Sequence, residues 1–119
     1  GRLRRGVTPW DAFASCFPAG TLTGAPKIRA MEIIADIEPV QRGPYGGAVV
    51  SLDFSGRLDA CITIRSLHVR DGIASIQAGA GIVSDSKPDR EWTEVRNKTR
   101  AMRRAVAAAL QSDELGGER

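Results

Sequence analysis

From Leu58 onward the chain alternates apolar and polar residues in steps of two, and the alternation slips phase once. Leu58, Ala60, Ile62 and Ile64 point one way, while Asp59, Thr63 and Arg65 point the other. Beyond Arg65 the apolar positions become Leu67 and Val69, one residue out of step. A period of two is the signature of a strand with one covered face, and a helix cannot satisfy it. A one-residue slip is what a β-bulge produces, and bulges often sit beside functional sites. On the near side, Ala48 to Phe54 reads as a strand joined through a tight turn at Ser55-Gly56. On the far side, Asp71-Gly72 makes the next turn, and a third strand runs from Ile73 to about Val83. Ala74, Ile76, Ala78, Ala80 and Ile82 share one face of it, and Ser75, Gln77, Gly79 and Gly81 the other. The pattern predicts an antiparallel β-meander with an open edge.

Helices flank this meander, which makes the fold class α+β. Thr8-Pro9-Trp10-Asp11 opens the first: Thr8 can cap, Pro9 suits the first helical position and Asp11 stands three after the cap. Pro18 ends it. The loop Gly20-Thr21-Leu22-Thr23-Gly24 follows, and Ala25-Pro26 opens a second helix. That helix has an apolar stripe of Ile28, Met31, Ile34 and Ala35, and Arg29, Glu32 and Asp36 line its other side. Pro39 stops it, and Gly43-Pro44-Tyr45-Gly46-Gly47 turns the chain into the first strand. Pro88-Asp89 opens the last helix, whose stripe is Trp92, Val95, Met102, Val106 and Leu110. Residues 113–119 are expected to be a flexible tail.

Composition narrows the possible functions. A chain of 119 residues holds one modest core, and 42% hydrophobic with 26% charged residues is a globular balance. The net charge is +3, and basic residues cluster at two places, Arg2, Arg4 and Arg5 near the start and Arg96, Lys98, Arg100, Arg103 and Arg104 near the end. Neither carries the aromatic platforms or motifs of nucleic-acid binding, so both read as solvated faces and no nucleic-acid partner is expected. Cys16 and Cys61 lack metal-ligand spacing and read as small core residues, in keeping with a reducing cytoplasm. No apolar run is long enough to span a membrane, and the opening Gly1-Arg2-Leu3-Arg4-Arg5-Gly6 lacks the apolar core of a secretory signal.

Several features can carry chemistry, and each has a plainer alternative. Glu91 and Glu94 lie about 60° apart on a helix, with Lys98 within about 20° of Glu91, so two carboxylates and an ammonium share one strip. Such carboxylates suit a hard divalent cation, or simply a solvent face with a Glu94–Lys98 pair. Gly79 and Gly81 strip side chains from one strand face, for a ligand or for a close-packed chain segment. Arg65, at the phase slip, can clamp a carboxylate bidentately or pair with Asp59 on the sheet surface. The Gly20–Gly24 loop leads into a helix N-terminus, which is receptive to anions but equally well served by capping alone. Tyr45, the only tyrosine, sits in a turn as a packed lid or a site residue; His68, the only histidine, falls on the surface.

Five blocks, in order, resemble the signature motifs of the chorismate-binding enzymes. They are Phe17-Pro18-Ala19-Gly20-Thr21-Leu22-Thr23-Gly24-Ala25-Pro26-Lys27, Gly43-Pro44-Tyr45-Gly46-Gly47-Ala48, Cys61-Ile62-Thr63-Ile64-Arg65, Gln77-Ala78-Gly79-Ala80-Gly81-Ile82-Val83 and Glu91-Trp92-Thr93-Glu94-Val95-Arg96-Asn97-Lys98. Together they cover about residues 10 to 110. The family includes anthranilate, aminodeoxychorismate, isochorismate and salicylate synthases. The second and fourth blocks and the Asn97-Lys98 ending look most like the anthranilate-forming branch.

The resemblance implies a fold, a site and a reaction. The meander and helices would be part of the family's two-sheet fold, with residues 1–112 an incomplete C-terminal portion of the catalytic domain. Glu91 and Glu94 match Mg²⁺-binding glutamates. Thr21 matches a threonine of the substrate pocket, and Tyr45 and Arg65 match the pair that binds the enolpyruvyl side chain, Arg65 through its carboxylate. Gly79 and Gly81 match backbone positions of the same pocket, and Lys98 matches a lysine near the metal and the ring carboxylate. The implied partners are chorismate, a glutamine amidotransferase that supplies ammonia, and the remainder of the catalytic domain. No catalytic acid or base is expected among these residues, because the family's general acid/base histidine would fall just before Gly1. The fragment alone is expected to be inactive and poorly stable. A non-catalytic partner-binding piece is the alternative from another class.

Overall fold

The computed structural model describes the backbone of residues 1–116 and the side chains of residues 1–112. Two compact units divide the chain, Gly1–Thr63 and Ile64–Arg119.

The first unit opens with α1, Pro9–Cys16. Its N-terminus closes as the sequence demands: the Asp11 amide donates to Thr8 Oγ1 at 3.2 Å, and the Thr8 amide donates to Asp11 Oδ2 at 2.8 Å. Along this helix Phe13 meets Trp10 edge-on at 6.0 Å between centroids and stacks on Phe17 at 5.3 Å. The stretch expected as plain loop contains a helical turn, α2, Gly20–Thr23. It ends at Gly24, whose φ of +85° favours glycine and whose amide donates to the Gly20 carbonyl at 2.8 Å. Helix α3 spans Lys27–Ile37, with Pro26 at its N-cap.

Strands β1, Ala48–Leu52, and β2, Leu58–Ile62, form an antiparallel hairpin that pairs Ala48 with Ile62 and Leu52 with Leu58. The connection is longer than the tight two-residue turn expected at Ser55-Gly56. Asp53 organises it: its Oδ1 accepts from the Ser55 amide, the Ser55 hydroxyl and the Arg57 amide, and Gly56 takes a φ of +82°. These bonds hold the Asp53 carboxyl below its usual range, the Ser55 hydroxyl contributing most.

In the second unit, β3, Leu67–Arg70, pairs antiparallel with β4, Ile73–Ile76, in the register Leu67 with Ile76 and Arg70 with Ile73. Asp71 and Gly72 turn the chain between them with φ of +51° and +75°, the paired positive values of a type I′ hairpin. The last helix, α4, runs Pro88–Gly116. It therefore includes 113–116 of the expected tail; 117–119 lie outside the described residues.

The architecture is α+β with antiparallel strands, but the expected continuous meander divides into two hairpins. The phase slip is the dividing point. Arg65 takes a left-handed φ of +52°, which ends one strand before Leu67 begins the next, where an in-strand bulge was expected. The third strand stops at Ile76, because residues 77–83 have no ladder partner among the described residues.

Neither unit has a closed core. Among the described residues no apolar side chain is buried, and Thr23, at 7% exposure, is the one buried residue. Cys16 and Cys61, expected as core residues, are both exposed. Cys61 lies on the face of the β1–β2 hairpin that also carries Val49, Ser51 and Asp59, all exposed. Helix α3 shows the same openness. Ala30 and Ile34 are half-buried, while Ile37, beside them, is 72% exposed and Ile28, well round the helix from them, is 76% exposed. A helix apolar over so wide an arc belongs in a larger core than either unit supplies.

Candidate functional site

In the second unit the helix strip expected from spacing is present and is tied to the glycine segment. Lys98 Nζ lies 2.6 Å from Glu94 Oε1, one helical turn away, and donates to the Gly79 carbonyl at 2.9 Å. The lysine thus links α4 to residues 77–83, which have no strand ladder to hold them. Glu91 is half-buried one turn before Glu94 on the same helix. The helix begins just ahead of it, where the Lys87 carbonyl accepts from the Arg90 and Glu91 amides at 2.9 and 3.0 Å.

A Cβ built on Gly81 would meet nothing within 4 Å, so no described segment packs against that residue. Nothing described therefore stands where a side chain at position 81 would point. Arg65 is exposed and enters no ion pair among the described residues. His68 lies on the surface as expected, and the arginines at 96, 100, 103 and 104 form a solvated basic face on α4.

The donor chemistry of this strip fits a hard cation in part. Two carboxylates one turn apart supply oxygen ligands of the kind Mg²⁺ takes, which it completes with waters and substrate oxygens. No group of three or more potential metal-ligating side chains occurs among the described residues.

The first unit positions Thr21 and Tyr45. Thr21 is exposed on α2, and Tyr45 is half-buried in the turn before β1. That turn is locked to the end of β2: the Gly46 amide donates to the Thr63 carbonyl and the Thr63 amide to the Gly47 carbonyl, both at 2.9 Å. Glycine is favoured here on two counts. Gly46 has a φ of +80°, and a Cβ on Gly47 would lie 3.1 Å from the Pro44 carbonyl oxygen.

Two side chains that the sequence reading passed over hold this region. Arg42 grips both Glu38 carboxylate oxygens, through Nε at 2.8 Å and Nη2 at 2.6 Å, and donates Nη1 to the Leu22 carbonyl at 2.9 Å. Its guanidinium carbon also lies 5.9 Å from the centroid of the Tyr45 ring. One side chain thus joins the end of α3, the short helix bearing Thr21 and the turn bearing Tyr45. The Arg42 hydrogen bond holds the Glu38 carboxyl below its usual range, and Glu38 in turn raises Arg42. Lys27 does similar work for the preceding loop, donating Nζ to the Pro18 carbonyl at 2.8 Å. The available signals were the four-residue spacing of Glu38 and Arg42 and the Lys27 that closes the first motif block.

Residues 1–104 match the family model described as chorismate binding enzyme, and the chain belongs to that family. It is 57% identical over 109 residues to an anthranilate synthase component 1 of Acetivibrio thermocellus, covering 92% of this chain and 22% of that protein. It is 56% identical over 114 residues to the component 1 protein of Pseudomonas aeruginosa, covering 96% of this chain and 23% of the relative. The Bacillus subtilis (strain 168) protein of the same name is 54% identical over 109 residues, 92% of this chain and 21% of the relative. The chain thus spans between a fifth and a quarter of the length of these curated relatives. No helix among the described residues is long and apolar enough to cross a membrane.

Proposed function

We propose that this chain is a C-terminal part of the catalytic domain of an anthranilate synthase large component. The whole protein would convert chorismate and ammonia, delivered from glutamine by an amidotransferase partner, to anthranilate and pyruvate. The observation that carries this reading is the α4 strip: Glu94, Lys98 and the Gly79 carbonyl stand in one chain of contacts, in a sequence 57% identical to an enzyme of that name.

In the reaction, ammonia adds to the chorismate ring, the 4-hydroxyl leaves, and elimination of pyruvate gives the aromatic amine. Mg²⁺, when bound, would neutralise and orient the substrate carboxylate. Glu91 and Glu94 would hold it, each giving carboxylate oxygens from one face of α4. Arg65 offers a planar pair of donors suited to the enolpyruvyl carboxylate, a geometry that lysine cannot copy. Tyr45, braced by Arg42 and by the Gly46–Thr63 bonds, supplies a fixed positioning contact. Thr21 offers a hydroxyl to the substrate, and the bare backbone at Gly79 and Gly81 lets it approach closely.

The test is Mg²⁺-dependent turnover of chorismate by the full-length protein with ammonium supplied, followed by anthranilate fluorescence, beside Glu94→Gln. Anthranilate from the wild type and a loss of about 100-fold or more in the variant are expected. A different aromatic product would reassign the protein to a sister activity, and no turnover by the wild type would overturn the enzyme reading.

A further inference from the structure

The Lys98 contacts have a consequence for how the strip takes up a cation. The ammonium lies 2.6 Å from Glu94 Oε1, the side chains being 34% and 53% exposed, and its other contact is the Gly79 carbonyl at 2.9 Å. An ammonium so placed already neutralises Glu94. A divalent cation that takes the same carboxylate must either displace Lys98 or sit a few ångströms from its charge, and both cost affinity.

We propose that Lys98 is a built-in competitor of the cation, keeping Glu94 occupied until an anionic ligand draws the ammonium away. The proposal rests on the reading of Glu91 and Glu94 as cation ligands and adds a regulatory role for their neighbour. The tie to Gly79 makes the device reversible. Lys98 is anchored at one end of its reach by a backbone carbonyl, so it can leave Glu94 without leaving the site. An anion arriving over the glycine segment would attract Lys98 and free Glu94 for the metal. Cation and anion would then each strengthen the other's binding, by the same factor in both directions.

The experiment measures Mn²⁺ affinity of the full-length protein by isothermal titration, without substrate, in the wild type, Lys98→Met, Lys98→Gln, Lys98→Arg and Glu94→Gln. Removing a unit positive charge a few ångströms from a partly exposed site should tighten Mn²⁺ binding on the order of tenfold. Met and Gln should both show this, and Arg should stay near the wild type. A lysine that serves only as a tether predicts the opposite order: Met weakens binding, while Gln, still able to donate to Gly79, leaves it unchanged. That result would overturn the proposal. The gain from Lys98→Gln should also vanish in a Glu94→Gln background, and a gain that persists there would overturn it as well. Mn²⁺ affinity that Glu94→Gln leaves unaltered would instead remove the cation reading itself, whatever Lys98 does.

Discussion

The two units solve the problem of holding a site by different means. In Gly1–Thr63, irregular segments are fixed by long cationic side chains reaching backbone carbonyls: Lys27 to Pro18 and Arg42 to Leu22, with the Tyr45 turn locked to Thr63 by two backbone hydrogen bonds. In Ile64–Arg119, a long helix carries the candidate ligands and one lysine ties it to the glycine segment. The first arrangement pre-forms the surroundings of Thr21 and Tyr45 locally. The second leaves Arg65, Gly81 and Glu94 exposed, in a unit whose one hairpin is almost wholly open to solvent. Local polar ties can shape a loop, but they do not replace an apolar core. Both units lack one, since no described apolar side chain is buried.

The largest expected effect follows from that shared deficit. A two-stranded hairpin is marginal by itself in water. Hydrophobic burial is the main term opposing chain entropy. The 119-residue chain in isolation should show no cooperative thermal transition by near-ultraviolet circular dichroism, should bind a hydrophobic dye strongly, and should not turn over chorismate. A sharp two-state melt would show that the exposed apolar faces of α3 and the hairpins find each other in solution. It would also erase the distinction between locally braced and unbraced units.

What the sequence disclosed tracks the range of the forces involved. The α1 capping box was legible because Thr8, Pro9 and Asp11 act within one turn, and the Asp71-Gly72 hairpin was legible because the two residues carry the required φ themselves. The strand pattern was legible as alternation, yet alternation does not say which strand pairs with which. Leu58–Ile62 and Leu67–Arg70 read as one strand with a slip, and a left-handed residue at Arg65 separates them. The continuation of the third strand to Val83 failed for a similar reason, because a ladder needs a partner that these residues do not have here. Cys16 and Cys61 were placed in a core on residue type, and burial depends on neighbours that are far away in sequence or absent. The Glu38–Arg42 pair was within reach of a four-residue spacing, but the Arg42 bond that braces the site reaches Leu22, 20 residues back. The motif residues were visible as a resemblance, but the Lys98 bond to Gly79, 19 residues away, emerged only with the fold.

Arg42 sharpens the contrast between the units. Substitution by Met keeps the aliphatic stem but removes the Glu38 pair, the Leu22 bond and the cation's contact with the Tyr45 ring. Because the pair is partly exposed, the stability loss in the full-length protein should be only about 1 kcal/mol. Its effect on KM for chorismate should be larger in proportion, several-fold, because the Tyr45 turn loses its brace. Arg42→Lys should recover little, since an ammonium cannot grip both Glu38 oxygens and the Leu22 carbonyl at once. A variant with unchanged KM would mean that the Gly46–Thr63 bonds alone fix Tyr45.

The smallest effect is a pH dependence carried by three carboxyls of the braced unit. Asp11, Glu38 and Asp53 are all held below the usual carboxylate range, chiefly by the Thr8 hydroxyl, the Arg42 guanidinium and the Ser55 hydroxyl respectively. For a carboxyl whose folded value is depressed, the stabilisation is complete above its unfolded value and is lost as pH falls through the folded one. The contribution of these three carboxyls should therefore be complete above the ordinary carboxylate range and be lost as pH falls from there through their depressed folded values. Carbon-detected titration of Glu38 in the full-length protein would check this, with Arg42→Met as the control that returns Glu38 toward its ordinary value. A Glu38 that titrates alike in both proteins would mean that the ion pair seen here does not persist in solution. The first unit would then rest on its backbone bonds and the Lys27 tie, and the second unit answers that tie with its own, from Lys98.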